Sequence, residues 1–183
     1  MERAAFSVDI QCPETLKEAE SRYTPRGYDE VRFLLTVNAG EPLKLLSKTA
    51  SGGEMSRIML AFKTVLARTD EIPTLIFDEI DTGISGRMAQ VVAEKMARIG
   101  MQRQVLCVTH LPQIAAMGDR QLMVEKTFEG DRTITRTVLL EGDARCEEIS
   151  RMVSGAGDAS SGLSHARNLL ESAARWKDKI RGS

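Results

Sequence analysis

Apolar and polar positions alternate at Phe6, Val8 and Ile10, and again at Val31, Phe33, Leu35 and Val37, which predicts two half-buried strands. Residues 12–27 between them are charged and carry Pro13 and Pro25, so this stretch reads as a long loop with room for one helical turn. Turn chemistry follows in Asn38-Ala39-Gly40-Glu41-Pro42. After Gly53 the period changes. Met55, Ile58, Met59, Phe62, Val65 and Leu66 form a helical stripe, and Ser51 stands in capping-box register with Glu54 at its start. The uninterrupted apolar run Thr74-Leu75-Ile76-Phe77 predicts a parallel strand buried on both faces.

A second helix is expected from about Ser85, with Met88, Val91, Val92, Met96 and Ile99 inward, and a second buried strand over residues 105–109. Pro112 suits the first turn of a short helix ending near Met117. Residues 122–126 and 133–140 flank Glu129-Gly130-Asp131 as a hairpin. Two helices, about 144–153 and 160–176, close the chain around a Gly/Ser-rich joint at 154–162. The order β-β, α-β-α-β-α, β-β, α-α predicts an α/β fold: parallel strands flanked by helices, with antiparallel β additions.

Composition narrows the class without naming a partner. At 183 residues, 42% hydrophobic and 28% charged, the chain is ordinary for a globular protein, and its net charge of -1 advertises no bulk attraction to nucleic acid. Cys12, Cys107 and Cys146 are odd in number and widely spaced, which disfavours a disulfide framework or a zinc site and suits a reducing compartment. No signal-peptide core opens the sequence and no window approaches the roughly 18 apolar residues of a membrane span. A cytoplasmic protein with no membrane partner is expected.

The chemistry concentrates where the apolar run stops. Asp78, Glu79 and Asp81 follow Phe77 directly, at the carboxyl end of a strand, where open α/β sheets place their ligands. Asp78 suits a magnesium ion held through water, and Glu79 suits a general base acting on an attacking water. Asp81, past the turn, is expected to face elsewhere, toward a neighbouring subunit, or simply to cap the next helix. His110 occupies on the second strand the place Asp78 occupies on the first; if the two strands are neighbours, His110 and the acids share one crevice. Ser51-Gly52-Gly53 precedes a helix whose free amides could meet a phosphate, or could be only an N-cap and a turn. No lysine follows a glycine anywhere, so the phosphate-cradling loop with Gly-Lys is absent.

In this order, these residues resemble the second half of an ABC-type ATPase head. Ala50-Ser51-Gly52-Gly53-Glu54 is similar to the signature motif, and Leu75-Ile76-Phe77-Asp78-Glu79 to the Walker B strand with its catalytic glutamate. Ile80-Asp81-Thr82-Gly83 resembles the D-loop, and Thr109-His110 the switch histidine. The wording is closer still to the bacterial RecN DNA-repair family, relatives of the SMC group, in Gly40-Glu41-Pro42-Leu43-Lys44, residues 50–59, residues 76–86 and Val108-Thr109-His110-Leu111-Pro112-Gln113. Ala39, where that family often has Pro, departs outside the motifs.

The resemblance implies the C-terminal lobe of an ABC/SMC-type P-loop ATPase head over residues 1–183. Within it, about 1–46 would hold amino-terminal strands, 47–120 the motif-bearing core, and 121–183 the hairpin and last helices. It further implies ATP and Mg2+ as cofactors, with Asp78 toward the metal, Glu79 activating water and His110 sensing the γ-phosphate. Ser51, Gly52, Gly53 and Glu54 would meet ATP held by an opposite head, and Asp81 would communicate across that interface. The amino-terminal lobe with Walker A and a coiled coil would lie outside this chain, and DNA repair in the bacterial nucleoid region would be the setting. Two other readings stay open: a self-sufficient two-metal phosphotransferase or nuclease using Asp78, Glu79 and Asp81, and a non-catalytic dimerisation or DNA-docking module. Arg132, Arg136, Lys177, Lys179 and Arg181 read chiefly as a solvated charged surface.

Overall fold

The computed structural model describes residues 4–36, 40–49, 52–66, 71–130, 132–155 and 159–182. It comprises two compact units, residues 1–51 and 52–183. In the first, β1 (Ala5–Gln11) pairs antiparallel with β2 (Glu30–Thr36), Val8 opposite Phe33, and β3 (Lys44–Leu45) adds to the other edge of β2 beside a single helical turn, α2 (Leu46–Thr49). The alternation is as expected, but the half-burial is not: Phe6, Val8, Ile10, Val31 and Phe33 remain exposed, and of the apolar positions on that face Leu35 alone is buried among the described residues. Phe6 and Phe33, diagonal neighbours on the open face, stack at 5.8 Å between ring centroids. Val37, Asn38 and Ala39 lie outside the described residues.

The loop predicted between these strands contains a two-turn helix, α1 (Leu16–Arg22). Its cause was in the sequence. Thr15 caps the helix by accepting from the Glu18 amide at 3.3 Å, and the Glu18 carboxylate reaches back to the Glu14 amide at 3.1 Å, a Thr-x-x-Glu arrangement.

In the second unit, β4 (Thr74–Phe77) and β5 (Gln104–Cys107) run parallel in register from Thr74↔Gln104 to Phe77↔Cys107. They are connected through α4 (Gly86–Gly100), preceded by α3 (Gly52–Val65) and followed by α5 (Pro112–Met117). One face of the strand pair carries Leu75, Phe77, Val105 and Cys107, which join Leu60, Ile80, Ala89, Val92, Ala93, Met96, Ile99, Ile114 and Met117 in the main core. On the opposite face Ile76 is 71% exposed, and Leu106 and Val108 are exposed too. The expectation of a strand covered on both faces is therefore corrected. An unbroken apolar run records that both faces prefer cover; it does not supply the cover.

The helix faces shift for the same reason. On α4 the inward positions are Ala89, Val92, Ala93, Met96 and Ile99, while Met88 and Val91, expected inside, are exposed. On α3, Ile58 and Leu60 are buried, and Met59, Val65 and Leu66 are not. Small alanines let α4 lie close to the sheet, a preference that a stripe of large apolar residues conceals.

The hairpin forms as predicted but longer, β6 (Gln121–Glu129) against β7 (Arg132–Leu140), with Gly130 at φ 61° in its turn and Asp131 outside the described residues. The last helices are α6 (Gly142–Ser154) and α7 (Ala159–Arg181). Arg145 of α6 donates to the carbonyls of Ala116 (3.0 Å) and Gly118 (2.7 Å), and Lys177 of α7 pairs with Asp119 at 2.9 Å, so two cations meet the carboxyl end of α5. Arg98 of α4 lies over the Trp176 ring at 5.5 Å. The α6–α7 crossing is close because residue 162 is glycine: a Cβ there would strike Ser154 Oγ and come within 2.6 Å of Ser150 Oγ.

Gly162→Val is accordingly expected to lower unfolding free energy by about 1–3 kcal/mol through overpacking. Denaturant titration would show a lower midpoint at unchanged slope, and adding Ser154→Gly should recover part of the loss.

Candidate functional site

The carboxyl ends of β4 and β5 lie side by side, and the chain leaving β4 folds into a tight turn over residues 78–85. Asp78 is exposed, and its Oδ1 accepts from the Glu79 amide at 2.9 Å. Glu79 has φ 57°, a left-handed backbone that is uncommon outside glycine and costs of order 1–3 kcal/mol. The surroundings hold it there. The Glu79 carbonyl accepts from the Thr82 amide at 3.1 Å, and the next side chain, Ile80, is fully buried in the core.

Helix α3 grips this turn along one face. Ser56 Oγ donates to the Asp78 carbonyl at 2.8 Å, and Arg57 Nη1 donates to the carbonyls of Ile80 (3.2 Å) and Thr82 (2.8 Å). Gly53 is buried against the same turn: a Cβ at that position would sit 2.9 Å from the Glu79 carbonyl oxygen and 2.9 Å from Thr82 Cβ. A Cβ on Gly52 would strike the Glu79 carboxylate itself. The two glycines thus permit a close approach of helix start and acidic turn, which sets the Glu79 carboxylate beside the positive end of α3. Sequence reasoning missed Ser56 and Arg57. The available signal was their position, one turn after Gly53 and one before Leu60, on the helix face that these two buried residues define.

Asp81 was expected to face away from this crevice, and that expectation is corrected. Its residue is 4% exposed, and Oδ2 accepts from Thr109 Oγ1 at 2.6 Å and from the His110 amide at 2.8 Å, with His110 Nδ1 at 3.0 Å. Burial of Ile80 reverses the chain, and Arg57 holds the carbonyls on either side, so the Asp81 side chain is delivered to the end of β5. Burial alone would raise its carboxyl; the hydrogen bonds from Thr109 and the His110 amide, and the His110 ring, hold it below the ordinary carboxylate value. The same burial, followed by the charges of Asp81 and Asp78, pushes the Cys107 thiol up to about 12, so it stays protonated near neutrality.

Asp78, Glu79, Asp81 and His110 are therefore brought together at one end of the strand pair, with Gly52 and Gly53 beside Glu79. Glu54 lies half-buried in the first turn of α3. Ser51, and with it the proposed capping box, lies outside the described residues. His165 is exposed on α7. Of the basic residues considered, Arg136 pairs with Glu129 at 2.6 Å, while Lys177 and Arg181 lie 2.9 and 3.7 Å from Asp119. Among the described residues no group of three His, Cys, Asp or Glu side chains is arranged to hold a metal ion. A single exposed carboxylate such as Asp78 fits Mg2+, which keeps most of its waters and takes one or two protein ligands beside substrate phosphates. No described helix is long and apolar enough to cross a membrane.

No protein-family model matches the chain. Relatives in the curated collection do. The chain is 45% identical over 177 residues to the DNA repair protein RecN of Treponema pallidum, covering 97% of this chain and 31% of that protein. It is 41% identical over 185 residues to RecN of Bacillus subtilis, covering 97% and 32%, and 49% identical over 144 residues to RecN of Deinococcus radiodurans, covering 79% and 25%. Among solved structures, the Smc head domain with a coiled coil and joint from Pyrococcus yayanosii superposes with a TM-score of 0.55 at 21% identity, covering 81% of this chain and 26% of that one. The architecture is therefore that of an Smc head, with a parallel strand pair, antiparallel sheets and flanking helices. The chain spans about a third of the length of these relatives, and over that segment it belongs with the bacterial RecN DNA repair proteins.

Proposed function

We propose that this chain is the carboxyl-terminal lobe of an ATP-hydrolysing head acting in DNA double-strand-break repair and recombination in the bacterial cytoplasm, with both compact units belonging to that lobe. The observation that carries the reading is the meeting of Glu79, Gly52–Gly53 and His110 at the carboxyl end of a parallel strand pair. In this reading Asp78 holds Mg2+ together with phosphate oxygens. The ion, when bound, neutralises charge that builds on the transferring phosphoryl group. Glu79, whose carboxylate lies against Gly52, accepts a proton from the attacking water. His110 meets the γ-phosphate. Ser51, Gly52, Gly53 and Glu54 face a nucleotide held by a second head, so that each ATP joins two heads.

The exposed apolar face of Ile76, Leu106 and Val108 supports a missing amino-terminal lobe that brings the Walker A loop and the coiled coil. DNA is a partner of the assembled protein. The two-metal alternative loses its third ligand, because the Asp81 carboxylate is buried and already engaged by Thr109 and His110. The docking-module alternative leaves the strained Glu79 and its supporting bonds without use.

ATP turnover tests the proposal. This chain alone should show negligible turnover, and mixing with the amino-terminal segment of the same protein should restore it. Glu79→Gln in the complete protein should lower kcat by about 10²-fold or more while ATP binding persists. Substantial turnover by the lone chain, abolished by Glu79→Gln, would overturn the dependence on a second lobe.

Arg57→Met removes the clamp on the acidic turn without touching nucleotide. The complete protein carrying it should lose about tenfold in kcat, and Arg57→Lys, which keeps a cation but offers no fork, should recover only part.

A further inference from the structure

Among the described residues Asp81 is the one acidic side chain that is buried, and the hydrolytic scheme above gives it no part. We infer that Asp81 is a positioning residue for His110: its carboxylate holds the Nδ1–H edge of the imidazole inward, so that Nε2 is the edge presented to a ligand. The identity of that ligand as ATP rests on the reading above; the orientation of the ring does not.

An ionised carboxylate accepts and cannot donate, so every polar group at Asp81 Oδ2 must bring a hydrogen. Thr109 Oγ1 at 2.6 Å does so, and its own direction is set because the hydroxyl also accepts from the Leu111 amide at 3.1 Å. The His110 amide at 2.8 Å does so by necessity. Nδ1 at 3.0 Å must then carry a proton as well, since a bare lone pair there would face the carboxylate oxygen. The carboxylate is in turn fixed from behind, by the buried Ile80 and by Arg57 on the carbonyls of residues 80 and 82.

The ring itself is 73% exposed and has little packing to orient it, so the bond to Asp81 is what selects its direction. A consequence follows for the contact at Nε2. The neutral ring with Nδ1–H offers a lone pair there, which suits a water or a protonated partner. A phosphate oxygen, itself an acceptor, is met by the ring protonated on both nitrogens, with Asp81 as the adjacent countercharge.

The chain contains two histidines, His110 and the exposed His165, so long-range ¹⁵N–¹H correlation spectra report each tautomer without ambiguity. In the unaltered chain, neutral His110 should show the Nδ1–H form as its dominant tautomer. Asp81→Ala, which leaves no acceptor for Nδ1–H, should make that form minor while leaving His165 unchanged. Thr109→Val, which removes another bond of the same carboxylate, serves as the control for general loosening and should keep the Nδ1–H form. In the complete protein, Asp81→Ala should lower kcat by about tenfold with KM for ATP changed by less than about twofold. An Nε2–H form in the unaltered chain, no change in Asp81→Ala, or an equal change in Thr109→Val would each overturn the assignment. Failure of the ATPase reading has a different signature: a complete protein that neither binds nor hydrolyses ATP, with the His110 tautomer still governed by Asp81.

Discussion

Ile80 has no exposed surface, and the groups at the end of the strand pair depend on that burial. Removing such a side chain from water stabilises the fold by about 1.5–3 kcal/mol. The left-handed backbone of the preceding residue, Glu79, costs of order 1–3 kcal/mol. The two are comparable, so the turn is held without surplus unless further contacts contribute. They come from α3: Ser56 and Arg57 occupy three carbonyls of the turn, and Gly53 allows the helix to approach closely enough for those bonds to form. A local conformation that the sequence of the turn alone would not favour is thus maintained by a helix that begins 26 residues before Asp78.

Much of this was legible in the chain itself, though unevenly. Position relative to a strand end located Asp78, Glu79 and His110, because an apolar run that stops in charge has few other meanings. Periodicity located α3 and α4, unbroken apolar runs located β4 and β5, Pro112 and the turn at Gly130 located α5 and the hairpin, and Thr15 with Glu18 marks α1. Direction was harder. Asp81 lies three residues after Asp78, and spacing says nothing about a turn reversed by a buried Ile80. Met88 and Val91 look like core residues by composition, yet Ala89 and Ala93 take the inner face because helix and sheet approach closely there. Burial at such positions is a property of the neighbour, and the neighbour is not written locally.

The strand pair raises the same point at a larger scale. Two parallel strands are a small sheet, stable only because α4 and α5 cover one face. Parallel sheets normally bury both faces, so Ile76, Leu106 and Val108 are suited to a contact that the described residues of this unit do not make. The relatives are about three times longer than this chain. The apolar run predicts burial on both sides; among the described residues one side is met.

Exposure divides the site into groups that face outward and groups that hold them. Asp78, Glu79 and His110 are exposed, whereas Ile80, Asp81 and Gly53 are buried. The outward groups are free to meet a ligand, and the buried ones fix their directions before anything arrives. That order matters for any site that meets its ligand from outside, because orientation that is already present need not be assembled at the moment of contact. It also accounts for the inert Cys107. The Cys107 thiol, packed against the main core, is kept protonated near neutrality by burial and by the charges of Asp81 and Asp78.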